Sequence, residues 1–417
     1  MNVQAKKKRD LLALASIPLI MTLGNSMLIP VLPVIQNKLG ISPLQSSMLI
    51  TVYSVMAIVL IPLAGYMSDR IGRKAVIIPS LILAGIGGAV CGAAAGLSSD
   101  AYSIILFGRV LQGIGAAGAM PIVMPLVGDM FRSEEQVSAG LGLIETSNTF
   151  GKVLSPIAGS ALAALIWSVP FWAIPVMCLI SILLVIFMVK APKKKERKPP
   201  PASLFLKTTL QLYKDKSRWL TALFAIGGIG MFILFGLLFY LSETLEGTYR
   251  MKGVLKGFVL AIPLAALCTA SFVTGKVIGR RKKLMKWLTT GSFVLSAAAI
   301  LSCLPFEAVA ARIAFLSAAG LGIGIALPCL DALLTEGIDK KQRGTISSLY
   351  SSMRFAGVAA GPPVASLLMR HATPVLFWFM ACASAAAGLI ALSAIRPGER
   401  KQPVPGRKLA GGGAASP

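Results

Sequence analysis

The chain has 417 residues, of which 55% are hydrophobic and only 14% are charged, and its mean hydropathy is +0.77. These values lie far outside those of soluble globular domains and predict an integral membrane protein. Lysine and arginine total 41 against 16 acidic residues, which gives a net charge of +25. Because the basic residues lie in short clusters between long apolar runs, we interpret the charge as a determinant of membrane topology and expect no nucleic-acid partner.

Twelve apolar segments are long enough to cross about 30 Å of hydrocarbon as helices. The predicted spans are residues 10–35, 46–67, 75–96, 103–128, 138–165, 170–190, 219–241, 254–274, 287–305, 310–334, 344–368 and 375–395. They predict an all-α integral membrane fold with two six-helix bundles, residues 1–190 and 219–395. We expect residues 191–218 to form a polybasic linker and residues 396–417 to form a disordered cytoplasmic tail.

Basic residues accumulate in alternate connections between the spans. The clusters lie at residues 6–9, 70–74, 190–218, 276–286, 340–343 and in the C-terminal tail. Under the positive-inside rule, these loops and both termini are cytoplasmic, in a multi-pass protein of the plasma membrane. Spaced leucines in the linker favour an interfacial helix on the anionic inner leaflet, and a disordered basic linker is the alternative.

The two halves share short sequence matches at a nearly constant offset. RVLQGIGAAGAMPIVMP begins at Arg109 in the fourth predicted span, and RIAFLSAAGLGIGIALP begins at Arg312 in the tenth. GKVLSPIAGS begins at Gly151 in the fifth span, and GVAAGPPVAS begins at Gly357 in the eleventh. Matches of this kind predict a transporter built by duplication of a six-helix unit.

No motif indicates a resident cofactor or a catalytic centre. The six cysteines fall singly in apolar segments, and the sequence has one histidine, so neither a disulfide framework nor a metal site is predicted. The motifs H-E-x-x-H, G-x-S-x-G and the ATP-binding G-x-x-x-x-G-K-[ST] are absent from the sequence. We therefore expect neither a cofactor nor enzyme activity, and we expect an ion gradient to power any pumping.

Three segments carry longer motifs: GYMSDRIGRK from Gly65, GRVLQGIGAAGA from Gly108 and GKVLSPIAGS from Gly151. They resemble the loop, fourth-span and fifth-span signatures of the major facilitator superfamily, and specifically of its twelve-helix drug:proton antiporters. The fifth-span signature departs from the family pattern at Ser155 and Ser160, which replace glycines. The resemblance extends to Gram-positive exporters of the family, including exporters of catecholate siderophores, and implies transport by alternating access of two halves.

The loop motif predicts a gate at the cytoplasmic side. It comprises Gly65, Asp69, Arg70, Gly72, Arg73 and Lys74. Its glycines allow a tight turn, and Asp69 and Arg73 can pair with each other and with Asp129 at the inner end of the fourth span. By resemblance, this network latches the cytoplasmic side in the outward-open state; the alternative is that its basic residues only set topology.

A helix-bend motif recurs in the fifth and eleventh spans. Its residues are Gly151, Pro156 and Gly159 in the first half, and Gly357, Gly361 and Pro362 in the second. Glycine allows a neighbouring helix to approach closely, and proline bends a helix because it lacks an amide hydrogen. Two equivalent bends suit alternating access, and a packing kink is the alternative.

The fifth span carries the residues that we predict to couple transport to protons. Glu145, Asn148 and Lys152 lie at i, i+3 and i+7 and therefore share one helix face. An isolated charge in lipid is costly, so this face should line a water-filled cavity. Burial favours the neutral form of Glu145, whereas Lys152 and Arg109 favour its carboxylate, a balance that substrate could tip. The alternative is a permanently ionised Glu145 in a fixed ion network.

The remaining cavity candidates are Asn25, Tyr350, Arg354, Phe235 and Phe239. The two phenylalanines would form an apolar wall, although such a stripe more commonly packs or faces lipid. Deep basic groups outnumber deep acids, so an anionic, zwitterionic or catechol-rich amphiphile is as plausible a substrate as a lipophilic cation. We expect a monomeric proton-coupled exporter; the alternatives are a symporter for an organic anion or nutrient, and a membrane receptor or enzyme that does not transport.

Overall fold

The computed structural model describes residues 3–96, 100–131, 134–189, 217–279, 281–338 and 343–395. Nearly all of the predicted linker 191–218 and the whole predicted tail 396–417 lie outside the described residues. The described helices are α1 (Val3–Ser26), α2 (Leu32–Leu39), α3 (Pro43–Ile71), α4 (Arg73–Ala94), α5 (Ala101–Met130), α6 (Glu134–Leu165), α7 (Val169–Met188), α8 (Ser217–Gly247), α9 (Gly253–Val277), α10 (Lys282–Leu301), α11 (Val309–Gly337), α12 (Arg343–His371) and α13 (Thr373–Ala394).

These helices confirm the prediction of twelve spans in an all-α fold, with α1 and α2 together forming the first. The predicted first span is present, and a 3-10 turn, Ile29–Val31, separates its two helices. Pro30 and Pro33 lack the amide hydrogens that would continue the helical ladder there. The interruption leaves backbone carbonyl groups of the turn available to other helices.

Ten of the described spans are long and apolar enough to cross a membrane by length and composition alone. The two that fall below this level are α6 and α12. Helix α6 carries Glu145, Asn148 and Lys152, and α12 carries Tyr350 and Arg354. The two described spans below this level therefore contain most of the predicted polar cavity residues.

Local sequence determines where several helices begin and end. Helix α3 begins at a capping box, in which the Ser42 side chain accepts from the Gln45 amide and the Gln45 side chain accepts from the Ser42 amide. It ends at Gly72, whose φ of 104° is a conformation that side-chain-bearing residues rarely adopt. This glycine lets the chain reverse directly into α4.

The two halves pack their helices in the same pattern. In the first half α1 packs on α6, α3 and α4 pack on α5, and α4 packs on α7; in the second half α8 packs on α12, α9 and α10 pack on α11, and α10 packs on α13. Between the halves, α3 packs on α12 and α6 packs on α9. The helix contacts within each half and those between the halves therefore both follow the six-helix duplication.

The glycines of the helix-bend motif lie in the equivalent α1–α6 and α8–α12 contacts. A methyl group on Gly159 would overlap the Met27 carbonyl oxygen, and one on Gly357 would overlap the Gly228 carbonyl oxygen. Gly151 faces α1 and Gly361 faces α8 in the same way. These glycines allow close helix packing inside each half, and α6 and α12 remain continuous through Pro156 and through Pro362 and Pro363.

Candidate functional site

The helix ends divide between two faces of the molecule. We call the side that bears Ile71, Met130, Met188 and Val277 the terminal face, because α1 begins and α13 ends there. The opposite side bears Leu39, Pro43, Gly247 and Gly253, and we call it the distal face. The polar residues singled out above lie at three levels between these faces.

A charged cluster between these two faces contains residues of both halves. We call it the central cluster; it consists of Glu145 and Lys152 on α6, Asp331 on α11, and Tyr350 and Arg354 on α12. Lys152 lies close enough to Arg354, Glu145 and Asp331 to interact electrostatically with each of them. Within the second half, Arg354 Nη1 lies 3.8 Å from Asp331 Oδ1, and its guanidinium lies 5.7 Å from the Tyr350 ring centroid. Two acids and two cations from both halves thus share one site.

Glu145 is positioned by a short chain of hydrogen bonds from α1. The Thr22 hydroxyl donates to Asn148 Oδ1 at 2.6 Å, and Asn148 Nδ2 donates to Glu145 Oε1 at 3.2 Å. Thr22 and Asn148 are buried, whereas Glu145 is only partly buried. Glu145 and Asn148 therefore lie on one face of α6, and Asn148 connects this face to α1.

Arg109 contacts a different part of the first half. Its side chain is fully buried and donates to the Leu49 carbonyl at 2.8 Å, to Asn25 Oδ1 at 2.5 Å and to Gln112. Its guanidinium also lies 4.5 Å from the Tyr53 ring centroid. The structure brings Arg109 and Asn25 together, and in these contacts Arg109 connects α1, α3 and α5 of one half.

A narrow pocket lies between the halves beside Lys152. Its lining includes Ser26, Pro30 and Pro156 from the first half, and Leu234, Phe235, Leu238, Leu260 and Leu264 from the second. Phe235 is thus part of an apolar wall opposite Lys152. Phe239 is buried in a hydrophobic cluster that contains residues of both halves, and it does not line this pocket.

The loop motif forms an ion network on the terminal face. Arg73 Nη1 lies 2.7 Å from Asp69 Oδ1, and Arg73 Nε lies 3.2 Å from Asp129 Oδ2. Lys74 donates to the carbonyl groups of Ile186 and Val189 at the end of α7, at 3.0 Å each. These contacts all join helices of the first half, and the pairing of Arg73 with both acids is the one that the motif suggested.

The halves are joined by hydrogen bonds toward the distal face. Gln36 Nε2 donates to Glu243 Oε1 at 2.7 Å, the Ser242 hydroxyl donates to the Ile29 carbonyl at 2.9 Å, and Lys256 Nζ donates to the Pro30 carbonyl at 2.8 Å. The distal side of the interface is therefore closed in this structure. The side chains of Asp331 and Arg354 are nevertheless 36% and 16% exposed. We infer that the central cluster is reached from the terminal side.

Two features of this geometry were missed in the sequence. Asp331 is absent from the predicted cavity residues, although its interactions with Arg354 and Lys152 make it part of the central cluster. The contacts of Glu243, Glu246 and Lys256 were also not predicted from the sequence. A lysine inside the apolar run VLKGFVLAIPL, together with the nearby acids of SETLE, was the signal that could have identified them.

Comparison with known proteins agrees with the fold. The family model of the Major Facilitator Superfamily matches residues 14–362 and 313–415. The human organic anion transporter MFSD10 (TETRAN) superimposes with a TM-score of 0.72 at 18% identity, covering 92% of this chain and 99% of that one. A bacterial homologue of the human lysosomal transporter Spinster superimposes with a TM-score of 0.73 at 16% identity, covering 95% of each chain. At these identities the structures support the fold alone.

Relatives of known function show higher similarity in sequence. The bacillibactin exporter of Bacillus subtilis (strain 168) is 52% identical over 370 residues, which cover 88% of this chain and 92% of the relative. The class C tetracycline resistance protein of Escherichia coli is 26% identical over 395 residues, covering 90% of this chain and 93% of the relative. The chain is a multi-pass membrane protein that belongs to the Major Facilitator Superfamily, a class of transporters rather than of enzymes.

Proposed function

We propose that the protein is a proton-coupled antiporter that exports a small catechol-bearing amphiphile, such as a catecholate siderophore, by alternating access. The observation that carries this proposal is the central cluster, in which acids and cations from both halves meet beside an apolar pocket. The 52% identity to a bacillibactin exporter supports the same class of cargo. Drug-like amphiphiles are a second class of cargo, in keeping with the 26% identity to a tetracycline resistance protein.

The chemistry of the cluster suits a catechol. Catechol hydroxyl groups donate hydrogen bonds, and the ionised carboxylates of Glu145 and Asp331 accept them. Lys152 and Arg354 can hold the oxygen atoms of a partly deprotonated substrate, while Leu234 and Phe235 contact its apolar body. The site therefore offers both kinds of contact that an amphiphile needs.

Proton antiport follows if substrate and proton compete for the same carboxylate. Protonation of Glu145 removes an acceptor and thereby weakens substrate binding, whereas release of the proton restores it. Glu145 is our leading carrier because Asn148 connects its carboxylate to α1. Asp331 is the second candidate, since it faces the same cations from the other half.

Charge counting favours one alternative. The cluster holds two acids and two cations, so protonation of one acid leaves a net charge of +1 when the other three groups remain ionised. A net positive site attracts an organic anion together with the proton, which is the requirement for a symporter. The direction of proton movement during substrate transport therefore separates the two functions.

The wider organisation follows from the same mechanism. Residues 1–190 and 219–395 would move as two bodies about the central cluster, with the protein acting as a monomer in the plasma membrane. The terminal face, rich in lysine and arginine, would face the cytoplasm and its anionic inner leaflet. The network of Asp69, Arg73 and Asp129 would then hold the cytoplasmic side closed in the outward-open state.

The test uses everted membrane vesicles that are acidified inside, with a fluorescent probe of the pH gradient. Addition of a catecholate siderophore should dissipate the gradient, and Glu145→Gln should abolish this response while Glu307→Gln, an exposed control, should not. A lipophilic cation and an organic anion serve as comparison substrates. Gradient dissipation that persists in Glu145→Gln would reject Glu145 as carrier, and substrate movement in the same direction as the proton would establish the symporter.

A further inference from the structure

Lys256 is an unusual lysine, because it is only 1% exposed although it lies near the distal end of α9. Lysine is almost never fully buried unless it is paired. Its ammonium group has two described partners: Glu246 Oε2 at 2.7 Å on α8, and the Pro30 carbonyl at 2.8 Å on the other half. The first bond neutralises the charge within the second half, and the second bond crosses to the first half.

The carbonyl groups that receive these cross-half bonds come from the interrupted first span. The Ile29 carbonyl cannot bond to residue 33 in helical fashion, because Pro33 lacks an amide hydrogen. It accepts from the Leu32 amide within the turn and also from the Ser242 hydroxyl, while the adjacent Pro30 carbonyl accepts from Lys256. The break between α1 and α2 is thus the surface on which the second half closes.

Helices α6 and α9 are also in close contact at this level. A methyl group on Gly257 would come within 2.5 Å of the Pro156 carbonyl oxygen and within 2.8 Å of Ser160 Cβ. Lys256 and Gly257 therefore lie in one interface between the halves. Any opening of the distal side must separate the Lys256 ammonium from Pro30.

Glu243 adds a third ionisable group to this site. It accepts from Gln36 of α2, whose amide also donates to Ser46 of α3, and it interacts electrostatically with Lys256 and Glu246. When all three groups are ionised, two carboxylates face one ammonium, so the cluster carries one excess negative charge. Closure takes the cluster out of water, and burial of an unbalanced charge is costly. A proton on one carboxylate removes that cost.

We propose that Glu243, Glu246 and Lys256 form a distal gate, in which Lys256 closes the interface on the Pro30 carbonyl and Glu243 binds a proton from the distal side to favour closure. Lys256 and Glu246 lie on the same half, so their ion pair stays intact when the distal side opens. The three gate residues lose only the contact of Lys256 with Pro30 and the contact of Glu243 with Gln36, and water replaces both. The gate can therefore open without leaving a buried charge unpaired. The gate requires two alternating conformations, and only its proton response rests on the proposed function.

The gate can be tested by measuring the separation of the two halves at the distal face. Spin labels at Lys38→Cys and Lys252→Cys, both at exposed positions, report this distance by double electron–electron resonance in a chain without its six native cysteines. Acidification should increase the ratio of closed to open molecules, by up to about tenfold per pH unit for a single proton. Lys256→Met should shift the population toward the open form at every pH, whereas Lys283→Met, at an exposed lysine of the terminal face, should not.

Two further variants separate the gate from other proton sites. Glu243→Gln should give a closed population that no longer responds to pH, and Gln36→Met should favour opening without altering the three charged groups. Glu145→Gln should retain the pH response of the distal distance, even if it abolishes coupled transport. An unchanged closed population in both Lys256→Met and Gln36→Met would overturn the gate, and an unchanged pH response in Glu243→Gln would overturn the proton site.

Discussion

The hydrogen bond from Thr22 to Asn148 offers a sharp test of how Glu145 is positioned. Thr22→Val preserves the shape of the side chain but removes the buried donor to Asn148 Oδ1. A buried acceptor that loses its donor costs about 1–3 kcal/mol. The same Asn148 side chain donates from Nδ2 to Glu145. Loss of the Thr22 bond should therefore destabilise the Asn148 conformation that holds the Glu145 carboxylate in the central cluster.

A loss of about 1.4 kcal/mol corresponds to a tenfold change in a population or a rate. We therefore expect Thr22→Val to slow exchange driven by a pH gradient by about tenfold in proteoliposomes, at equal amounts of folded protein. Thr22→Ser retains the hydroxyl and should stay within about twofold of wild type. Equal rates for the valine and serine variants would show that the Thr22–Asn148 bond does not position Glu145, and the connection from α1 would have to be abandoned.

Three other substitutions probe the packing and the ion network. Gly159→Ala should lower the free energy of unfolding by about 1–3 kcal/mol, because its methyl group would overlap the Met27 carbonyl. Gly142→Ala, which has open space on the same helix, should not lower it, and equal stabilities of the two variants would refute the packing role. Asp129→Asn should slow transport by up to about fivefold without reducing membrane insertion, because a half-exposed ion pair with Arg73 contributes at most about 1 kcal/mol. Arg109→Met should reduce the unfolding free energy by about 3 kcal/mol and leave proton coupling per folded molecule unchanged; a folded variant with altered coupling would contradict this.

The parts of the fold that depend on local sequence were predictable. Runs of apolar residues identify the twelve spans, and the motif spacing identifies the pairing of Arg73 with Asp69 and Asp129. The interruption of the first span was not predicted, because an average of hydropathy does not register the missing amide hydrogens at Pro30 and Pro33. The prolines themselves were visible in the sequence, so helix-breaking rules would have located the turn.

The polar residues were harder to place, since their partners are far apart in the chain. Arg109 was expected beside Glu145, but its hydrogen bonds to Leu49 and Asn25 depend on how α1 and α3 pack against α5. Asp331 was not predicted as a cavity residue, because its interaction with Arg354 depends on how the neighbouring helix packs. The depth of a residue along a span can be estimated from the sequence. The identity of the residues that a buried charge contacts depends on helix packing and requires the tertiary structure.

The distal contacts also bear on what the other end of the molecule must do. Three of the cross-half hydrogen bonds lie at the proposed gate, and the Lys256 ammonium donates one of them. With Glu243 protonated, the two neutral bonds contribute about 0.5–1.5 kcal/mol each and the charged bond about 1.5–3 kcal/mol, so together they stabilise the closed distal side by about 2.5–6 kcal/mol. A proton gradient of one pH unit supplies only about 1.4 kcal/mol per proton.

Opening of the distal side therefore needs compensating contacts elsewhere, because a two-state equilibrium shifts only by the difference in free energy between its states. The terminal face is positioned to supply them. In the described residues, the ion pairs of Asp69 and Asp129 are made within the first half, and these side chains are 48% and 52% exposed. Carboxylates in this condition can gain partners from the second half when the terminal side closes. We therefore expect the ion network of Asp69, Arg73 and Asp129 to offset the free energy that is lost when the distal bonds break.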